Sequence, residues 1–132
     1  MILVDSNVWV DVLSNDPVWL NWSLQHLKLA RLQSVLAINP VIYAEIAVTF
    51  DKKDRLDDFL RPTGAQNVAF SEQVAFLAGK AFWSYRKSKG SKTGVLPDFF
   101  IGAQAQAEGW KILTRDAARY RTYFPKVKLI CP

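Results

Sequence analysis

Short apolar runs alternate with helical patterns along the whole chain, and this alternation constrains the fold more than any other feature. The runs at residues 2–4 and 111–113 lack polar alternation, as expected for strands covered on both faces. The predicted strands are residues 2–4, 35–38, 67–70, 111–113 and 129–130, the last at a sheet edge. Alternating strands and helices predict a three-layer α/β/α domain with a mainly parallel central sheet.

Helix signals fill the segments between these strands. Asp16-Pro17 and Asn39-Pro40 are each typical of an N-cap followed by the first helical residue, and Gly109 is typical of a helix end. The predicted helices are residues 8–13, 17–32, 40–50, 52–60, 98–108 and one that begins near Ser71 and ends in the connector YRKSKGSKTG. Ser6 and Asn7 are candidate caps of the first helix. No linker interrupts the pattern, which predicts one domain over residues 1–132.

The composition fits a compact domain better than a disordered or membrane-spanning chain. Half of the 132 residues are hydrophobic and 22% are charged, and no apolar stretch approaches the roughly 18 residues of a membrane-spanning helix. The first apolar run stops at Asp5, so no secretory signal core is expected, and Cys131 has no partner for an internal disulfide. We therefore expect a cytoplasmic protein without membrane association. The formal charge of +5 is compatible with nucleic acid, an acidic protein or an anionic surface as partner.

Four acidic residues lie inside apolar runs or at their ends, where an ordinary core excludes charge. Asp5 and Asp116 follow predicted strands, which places them at the same edge of a parallel sheet, where functional crevices form. Glu45 lies within an apolar helix, and Asp98 begins the helix of residues 98–108. As structural alternatives, the three aspartates are potential helix caps and Glu45 is part of a solvated stripe. The four together favour a shared carboxylate site.

A carboxylate cluster is stable mainly around hard cations such as Mg²⁺ or Mn²⁺, because the bare charges repel one another. A zinc centre of histidines and cysteines is not expected, because the chain has only His26 and Cys131 to supply it. A metal-bound water is more acidic than bulk water and can attack a phosphodiester. The cluster therefore indicates phosphodiester hydrolysis.

Four sequence segments, in this order, carry a resemblance to a known family. They are ILVDSNVWVD at the N-terminus, IYAEI, PDFFIGAQAQAEG and ILTRDAARYRTYFP, and together they span nearly the whole chain. The chain resembles a PIN domain, and within that family it is most similar to the VapC-type toxins of bacterial and archaeal toxin–antitoxin pairs.

The resemblance implies a Mg²⁺- or Mn²⁺-dependent endoribonuclease that acts as a toxin. The expected partners are a cognate antitoxin protein, an RNA substrate and a second copy of the chain. The residues that match the family's metal-binding and catalytic acids are Asp5, Glu45, Asp98 and Asp116, and those that match its supporting hydroxyl positions are Ser6 and Thr114.

The chain departs from the family pattern after the third acid. The family often has Ile-Ala-Ala there, whereas this chain has Ile101-Gly102-Ala103. Because Gly102 and Ala105 share a helix face with Asp98, we expect these small residues to let the helix pack close to the sheet.

Basic residues cluster in two places near the acids. The candidate RNA-contacting residues are Arg86, Lys87, Lys89 and Lys92 upstream of Asp98, and Arg115, Arg119 and Arg121 beside Asp116. They are candidates to line a groove for an RNA backbone, with Trp83, Tyr85 or Tyr120 stacking on bases. The alternatives are solvated surface charge and a site for an acidic antitoxin tail.

Two other functions fit parts of the sequence. A non-catalytic module of the same fold would bind RNA or a partner without cutting, although the presence of all four acids argues against it. A phosphotransfer domain would use Asp5 after a strand, but the next acid, Asp11, is too distant for an Asp-x-Asp pair. Trp19 and Trp22 share a helix with leucines and are candidates either for the core or for contact with an antitoxin or a second subunit.

Overall fold

A five-stranded parallel sheet forms the centre of the part of the chain that the structure describes. The structure is a computed structural model, and it describes residues 1–88, 91 and 94–132. The strands are β1 (Ile2–Val4), β2 (Leu36–Ile38), β3 (Gln66–Asn67), β4 (Lys111–Leu113) and β5 (Leu129–Ile130), in the order β3-β2-β1-β4-β5. The predicted three-layer α/β/α architecture is confirmed, and every strand pair is parallel.

Helices connect the strands and cover the sheet. They are α1 (Ser6–Leu13), α2 (Leu20–Gln33), α3 (Pro40–Ala47), α4 (Lys53–Leu60), α5 (Glu72–Lys87), α6 (Leu96–Glu108) and α7 (Ala118–Tyr123), with a 3₁₀ turn at Arg61–Thr63. Every residue of β1 and β2 is buried, which explains why these strands are apolar without alternation. Within the described residues, no helix combines the length and apolar character that a membrane crossing requires.

The strand order creates a crevice beside β1. From β1 the chain passes to β2 and β3 on one side, and it then crosses to β4 and β5 on the other. Such a reversal leaves a crevice beyond the carboxyl ends of the two strands at the switch point, here β1 and β4. Asp5 and Thr114 are the first residues after these strands. They are therefore brought together by topology, and the Asp5 N–H continues the ladder by donating to the Leu113 carbonyl at 2.9 Å.

The first two helices do not begin where the sequence prediction placed them. Asp5 caps α1 through its side chain, so this helix begins at Ser6, and the prediction of a cap at Ser6 or Asn7 is wrong. Asp16 caps a turn that precedes α2, and the helix itself begins only at Leu20.

The helices that follow also differ from the prediction at their ends. α6 begins at Leu96, so Asp98 lies in its first turn and does not cap it. The cap position of α7 is Ala117, so Asp116 is not a cap either. α5 extends to Lys87, which makes the start of the predicted basic connector helical.

The third strand is shorter than predicted and shifted towards the N-terminus. It ends at Asn67 because the next two carbonyls, those of Val68 and Ala69, accept hydrogen bonds from the Gln104 side chain. Helix α3 ends at Ala47 rather than at residue 50, because the carbonyl of Ile46 is taken by Thr49.

Gly102 is required by a close contact in α6. A Cβ atom at this position would lie 2.2 Å from Cδ2 of Phe124, whose side chain is fully buried. The small residue therefore admits a ring from the end of α7, which explains the glycine where the family often has alanine. The contact is with this ring, whereas the sequence suggested the sheet.

Gly102→Ala is expected to destabilise the fold by about 1–3 kcal/mol, because the new methyl group overpacks a rigid aromatic contact. Gly79→Ala on α5, where nothing lies within 4 Å of the added Cβ, is the matched control and is expected to stabilise by about 0.5–1 kcal/mol. Urea unfolding measures both. Equal effects of the two substitutions would contradict the packing account, and Phe124→Leu combined with Gly102→Ala should recover part of the loss.

Candidate functional site

The Asp5 carboxylate is the most buried acid of the crevice, and four neighbours hold it. Asp5 is only 4% exposed. Oδ1 accepts a hydrogen bond from the Ser6 N–H at 2.8 Å. Oδ2 accepts from the Thr114 hydroxyl at 2.8 Å, the Tyr120 hydroxyl at 3.0 Å and the Asn7 side-chain amide at 3.2 Å. Residues from three separate segments thus converge on one carboxylate.

Burial dominates the electrostatics of this carboxylate. Desolvation raises the pKa of Asp5 to about 6, although the hydrogen bond from Thr114 favours the ionised form. The charge of Asp98 raises the pKa further. Burial also raises the pKa of Tyr120 well above its usual value, so its hydroxyl remains a hydrogen-bond donor to Asp5.

Glu45 brings a second carboxylate to the crevice from α3. Within the described part of the chain, its Oε1 atom is buried and has no hydrogen-bond partner. Desolvation raises the pKa of Glu45 to about 7, with further contributions from the charges of Asp5 and Asp98, while hydrogen bonding with the Ser6 side chain lowers it. A buried carboxylate oxygen that has no hydrogen-bond partner and lies close to other acids is suited to bind a cation.

A buried amide pair fixes the helices that carry the second and third acids. Asn39 caps α3 by accepting from the Ile42 N–H at 2.8 Å, and its amide donates to Gln104 Oε1 of α6 at 3.0 Å. Both side chains are fully buried. Because Glu45 lies on α3 and Asp98 on α6, this pair fixes the two helices relative to each other at the crevice.

Asp98 forms an ion pair with Arg119 of α7. Desolvation raises the pKa of Asp98, the guanidinium of Arg119 lowers it, and the charge of Asp116 raises it. Arg119 also lies over the ring of Tyr85, 5.7 Å from its centroid. The third acid is thus half-buried and already neutralised by a cation from the protein.

Asp116 lies at the outer edge of the crevice and is exposed to solvent. Its N–H donates to Thr114 Oγ1 at 3.1 Å. The Thr114 hydroxyl has one proton, and the 2.8 Å contact to Asp5 is shorter than the 3.3 Å contact to the Asp116 carbonyl. We therefore assign that proton to Asp5, so that Thr114 links the loop of Asp116 to the first acid.

The acids suit a divalent cation in chemical type but are not arranged as a finished ligand shell. In residues 1–88, 91 and 94–132, no group of three or more His, Cys, Asp or Glu side chains has the geometry to hold a metal ion as it stands. Asp5 is occupied by hydroxyl and amide donors, and Asp98 is occupied by Arg119. The charge of Asp98 nevertheless raises the pKa of Asp5, and the charges of Asp5 and Asp98 raise the pKa of Glu45.

The predicted basic residues fall into different environments. Arg115 pairs with the buried Asp11 at 2.8 Å and lies over the ring of Trp19, so its guanidinium is engaged within the protein. Arg86 and Lys87 are exposed on α5. Of the other predicted residues, Arg119 pairs with Asp98 and Arg121 contacts Cys131, while Lys89 and Lys92 lie outside the described residues.

Two site residues were missed or misassigned by sequence reasoning. Asn7 was considered only as a cap, yet its amide bridges Asp5 and Thr114, both at 3.2 Å. Tyr120 was a candidate for base stacking, but it is 2% exposed and its hydroxyl is bonded to Asp5. The sequence held one signal for the role of Tyr120. Its spacing, four residues after Asp116, places it on the buried face of a short helix.

Comparison with known proteins identifies the family. A sequence profile described as the PIN domain matches residues 2–125, and the chain belongs to the PIN domain family. No curated protein matches the chain.

Several solved structures share the fold. VapBC2 from Rickettsia felis, bound to a DNA fragment from its promoter, has a TM-score of 0.74 at 20% identity and covers 100% of this chain and 99% of that chain. VapBC-1 from nontypeable Haemophilus influenzae has a TM-score of 0.70 at 15% identity, with 99% and 98% covered. A toxin–antitoxin complex from Klebsiella pneumoniae has a TM-score of 0.66 at 22% identity, with 91% and 90% covered. At these identities the likeness establishes the fold.

The raised pKa of Asp5 predicts a pH-dependent stability in the absence of metal. Because its folded pKa of about 6 lies above the usual value of 3.8, protonation favours the folded state. The contribution of Asp5 to the free energy of unfolding is therefore greatest below about pH 4, where the carboxyl is protonated, and it is lost as the pH rises through 6. Asp5→Asn should therefore reduce the loss of stability between pH 4 and 7 by about 1–3 kcal/mol.

Urea unfolding in EDTA at several pH values measures this change. Asp51→Asn is the matched control, because that side chain is 71% exposed. An Asp5→Asn profile parallel to the wild-type profile would show that the Asp5 carboxylate is not destabilised by its burial.

Proposed function

We propose that this PIN domain is a metal-dependent endoribonuclease and the toxin of a toxin–antitoxin pair. The observation that carries the proposal is the crevice at the switch point, where Asp5, Glu45 and Asp98 converge and Glu45 Oε1 has no hydrogen-bond partner among the described residues. Membership of the PIN family supports nuclease chemistry, and the neighbours with the same fold are toxin–antitoxin complexes. The basic surface charge is compatible with RNA as the substrate.

Mg²⁺ or Mn²⁺ would be held by Asp5, Glu45 and Asp98, with Asp116 at the open edge. Such an ion supplies an acidified water and neutralises phosphate charge. Thr114, Tyr120 and Asn7 orient Asp5 so that a fixed carboxylate faces the crevice. Ser6 supplies the backbone N–H that anchors Asp5 Oδ1.

Glu45 and Arg119 have distinct roles in this proposal. Glu45, with a pKa of about 7 before any cation binds, can exchange a proton at Oε1 near neutral pH. Asp98 could hold a cation only if Arg119 released it, and the Arg119 guanidinium would then be free to pair with an RNA phosphate. In this proposal the ion pair neutralises Asp98 in the protein without metal.

We expect the purified protein to cleave RNA in Mg²⁺ or Mn²⁺ and to lose cleavage in EDTA. Asp5→Asn and Asp98→Asn should each lower the cleavage rate by at least about 100-fold, because each removes a charge that holds the cation. Asp54→Asn, on the surface of α4, is the matched control. Sequencing of RNA ends after expression of the wild type and of Asp5→Asn identifies the cut sites.

Full cleavage in EDTA would refute metal dependence. The ion pair between Asp98 and Arg119 favours a second candidate, a non-catalytic PIN fold in which a protein cation permanently occupies the site. Thermal-shift titration with Mn²⁺ separates the two, because only the enzyme is expected to be stabilised by the ion.

The antitoxin site in this proposal is an apolar groove between α1, α2 and α4. The groove has a volume of about 230 Å³, and Leu24, Leu27 and Phe59 contribute apolar side chains to its lining. Lys28 and Arg31 also line it and supply positive charge. This chemistry fits an antitoxin segment with apolar anchors and acidic flanking residues. Trp19 and Trp22, the surface suggested by the sequence, pack edge-to-face on each other, and Trp22 stacks on His26.

Lys28→Glu with Arg31→Glu is expected to weaken antitoxin binding at least tenfold, because like charges would then face each other. Lys126→Glu is the matched control and should bind the antitoxin normally, because Lys126 lies near β5, away from the groove. Calorimetric titration with the protein encoded beside this chain measures the affinity. Unchanged binding by the double variant would exclude this groove.

A further inference from the structure

A buried ion pair joins α1 to the segment that leaves β4, and the chemistry of the crevice does not use it. Asp11 on α1 is 1% exposed. Its two carboxylate oxygens lie 3.1 and 2.8 Å from Arg115 Nε, and its Oδ2 atom also accepts a hydrogen bond from the Ser23 hydroxyl of α2 at 2.7 Å. Because the desolvation of two charges offsets most of their attraction, a buried ion pair often adds little net stability. Stability alone is therefore a weak explanation of this pair.

The segment that this pair holds has no regular secondary structure of its own. We call residues 114–117 the β4–α7 loop, because they lie between the last residue of β4 and the first residue of α7. Thr114 at its start donates to Asp5, and Asp116 lies at the open edge of the crevice. α7 follows directly and carries the cation that pairs with Asp98. The position of the loop therefore affects three of the acids.

Side chains rather than the sheet hold two backbone amides of the loop. The Arg115 N–H donates to Asn7 Oδ1 at 3.3 Å, and the Asp116 N–H donates to Thr114 Oγ1 at 3.1 Å. The Thr114 N–H, by contrast, donates to a carbonyl of β5 at 3.0 Å. The charged contact between Arg115 and Asp11 is shorter, at 2.8 Å, and charge-assisted contacts are stronger than neutral ones. The Arg115 side chain is thus a firm anchor for the middle of the loop.

A tryptophan ring also contacts the Arg115 guanidinium. The central carbon of the guanidinium lies 5.4 Å from the centroid of Trp19. Trp19 is itself held by the turn between α1 and α2, because its N–H donates to Asp16 Oδ1 at 2.8 Å and the Asp16 N–H donates to the Asp11 carbonyl at 2.9 Å. A carboxylate together with an aromatic face suits the planar group of arginine better than the ammonium of lysine.

We propose that Asp11 is a positioning residue of the crevice. Through Arg115 it holds the β4–α7 loop, and with the loop it holds the hydroxyl that donates to Asp5 and the acid at the crevice edge. Ser23 and Trp19 fix the two members of the ion pair. The effect on the cation site rests on the proposed function, whereas the effect on the loop is independent of catalysis.

Packing of α1 on α2 is the alternative role of the buried acid. The hydrogen bond between Ser23 and Asp11 already joins these two helices. Arg115 belongs to neither helix, and its side chain is 31% exposed, so water could solvate its charge without the pair. Its contact with Asp11 therefore constrains the loop rather than the two helices.

Native-state hydrogen exchange in the absence of metal tests this positioning directly. Asp11→Asn keeps the size of the side chain and removes its charge, and we expect the Arg115 and Asp116 amides to exchange at least about tenfold faster. The Thr114 amide, which the sheet holds, is the internal control and should change by less than about threefold. Asp58→Asn is the matched control, because Asp58 forms an aspartate–arginine pair of the same 2.8 Å length on the surface.

Two further variants keep the test decisive if Asp11→Asn does not fold. Ser23→Ala removes one hydrogen bond from Asp11 without altering the loop, and Arg115→Lys keeps the positive charge but loses the planar group. Each is expected to accelerate exchange of the same two loop amides at least about threefold. Circular dichroism confirms that each variant is folded.

Manganese titration and cleavage kinetics test the consequence for the proposed cation site. We expect Asp11→Asn to raise the Mn²⁺ dissociation constant at least about threefold and to lower the cleavage rate at saturating RNA, with KM within about twofold of the wild type. Asp11 is buried and cannot touch the RNA. A raised KM with an unchanged rate at saturation would contradict this part of the proposal and assign Arg115 to RNA binding.

Two results of the exchange experiment would overturn the proposal. The Arg115 and Asp116 amides could exchange as in the wild type in every folded variant, or the Thr114 amide could accelerate equally, which would indicate a general loss of stability. If the wild type neither binds Mn²⁺ nor cleaves RNA, the proposed function fails, and the exchange experiment still decides whether Asp11 positions the loop.

Discussion

The burial of the Asp5 carboxylate is the constraint on which the rest of the structure depends. β1 is the central strand, and Asp5, the residue that follows it, is only 4% exposed. Donors come from the residue after β4, from α1 and from α7, and these contacts also fix where those elements meet. Even so, the pKa of Asp5 rises to about 6. The crevice therefore holds negative charge at neutral pH at a cost to stability.

That cost explains the organisation around the first acid. Glu45 and Asp98 approach on helices that are locked together by the amides of Asn39 and Gln104, so the acids cannot separate to relieve their repulsion. Arg119 neutralises Asp98, while Glu45 Oε1 stays without a partner among the described residues. A divalent cation would satisfy Glu45 and reduce the repulsion, which connects the electrostatic cost of the buried acids to the proposed function.

Much of the fold was predictable from the sequence, because apolar strands that lack alternation and Asn-Pro or Gly boundaries carry their own physical signals. β1, β4 and β5 lie where they were predicted. The errors arise from tertiary contacts that no local pattern contains. β3 is cut short by Gln104, a residue 36 positions away from Val68, and α6 begins before Asp98 although that residue has a good capping side chain.

The same distinction applies to the site. The position of Asp5 and Thr114 beside each other follows from parallel strand ends, whereas the burial of Tyr120 and the engagement of Arg115 by Asp11 depend on how helices pack. The measurement that tests the central claim most directly is calorimetric titration of Mn²⁺ in two buffers of different ionisation enthalpy. The account predicts binding that releases protons, increasingly so from pH 8 to pH 6, because the cation displaces protons from Asp5 and Glu45. Absence of binding, or binding without proton release across this range, would contradict it.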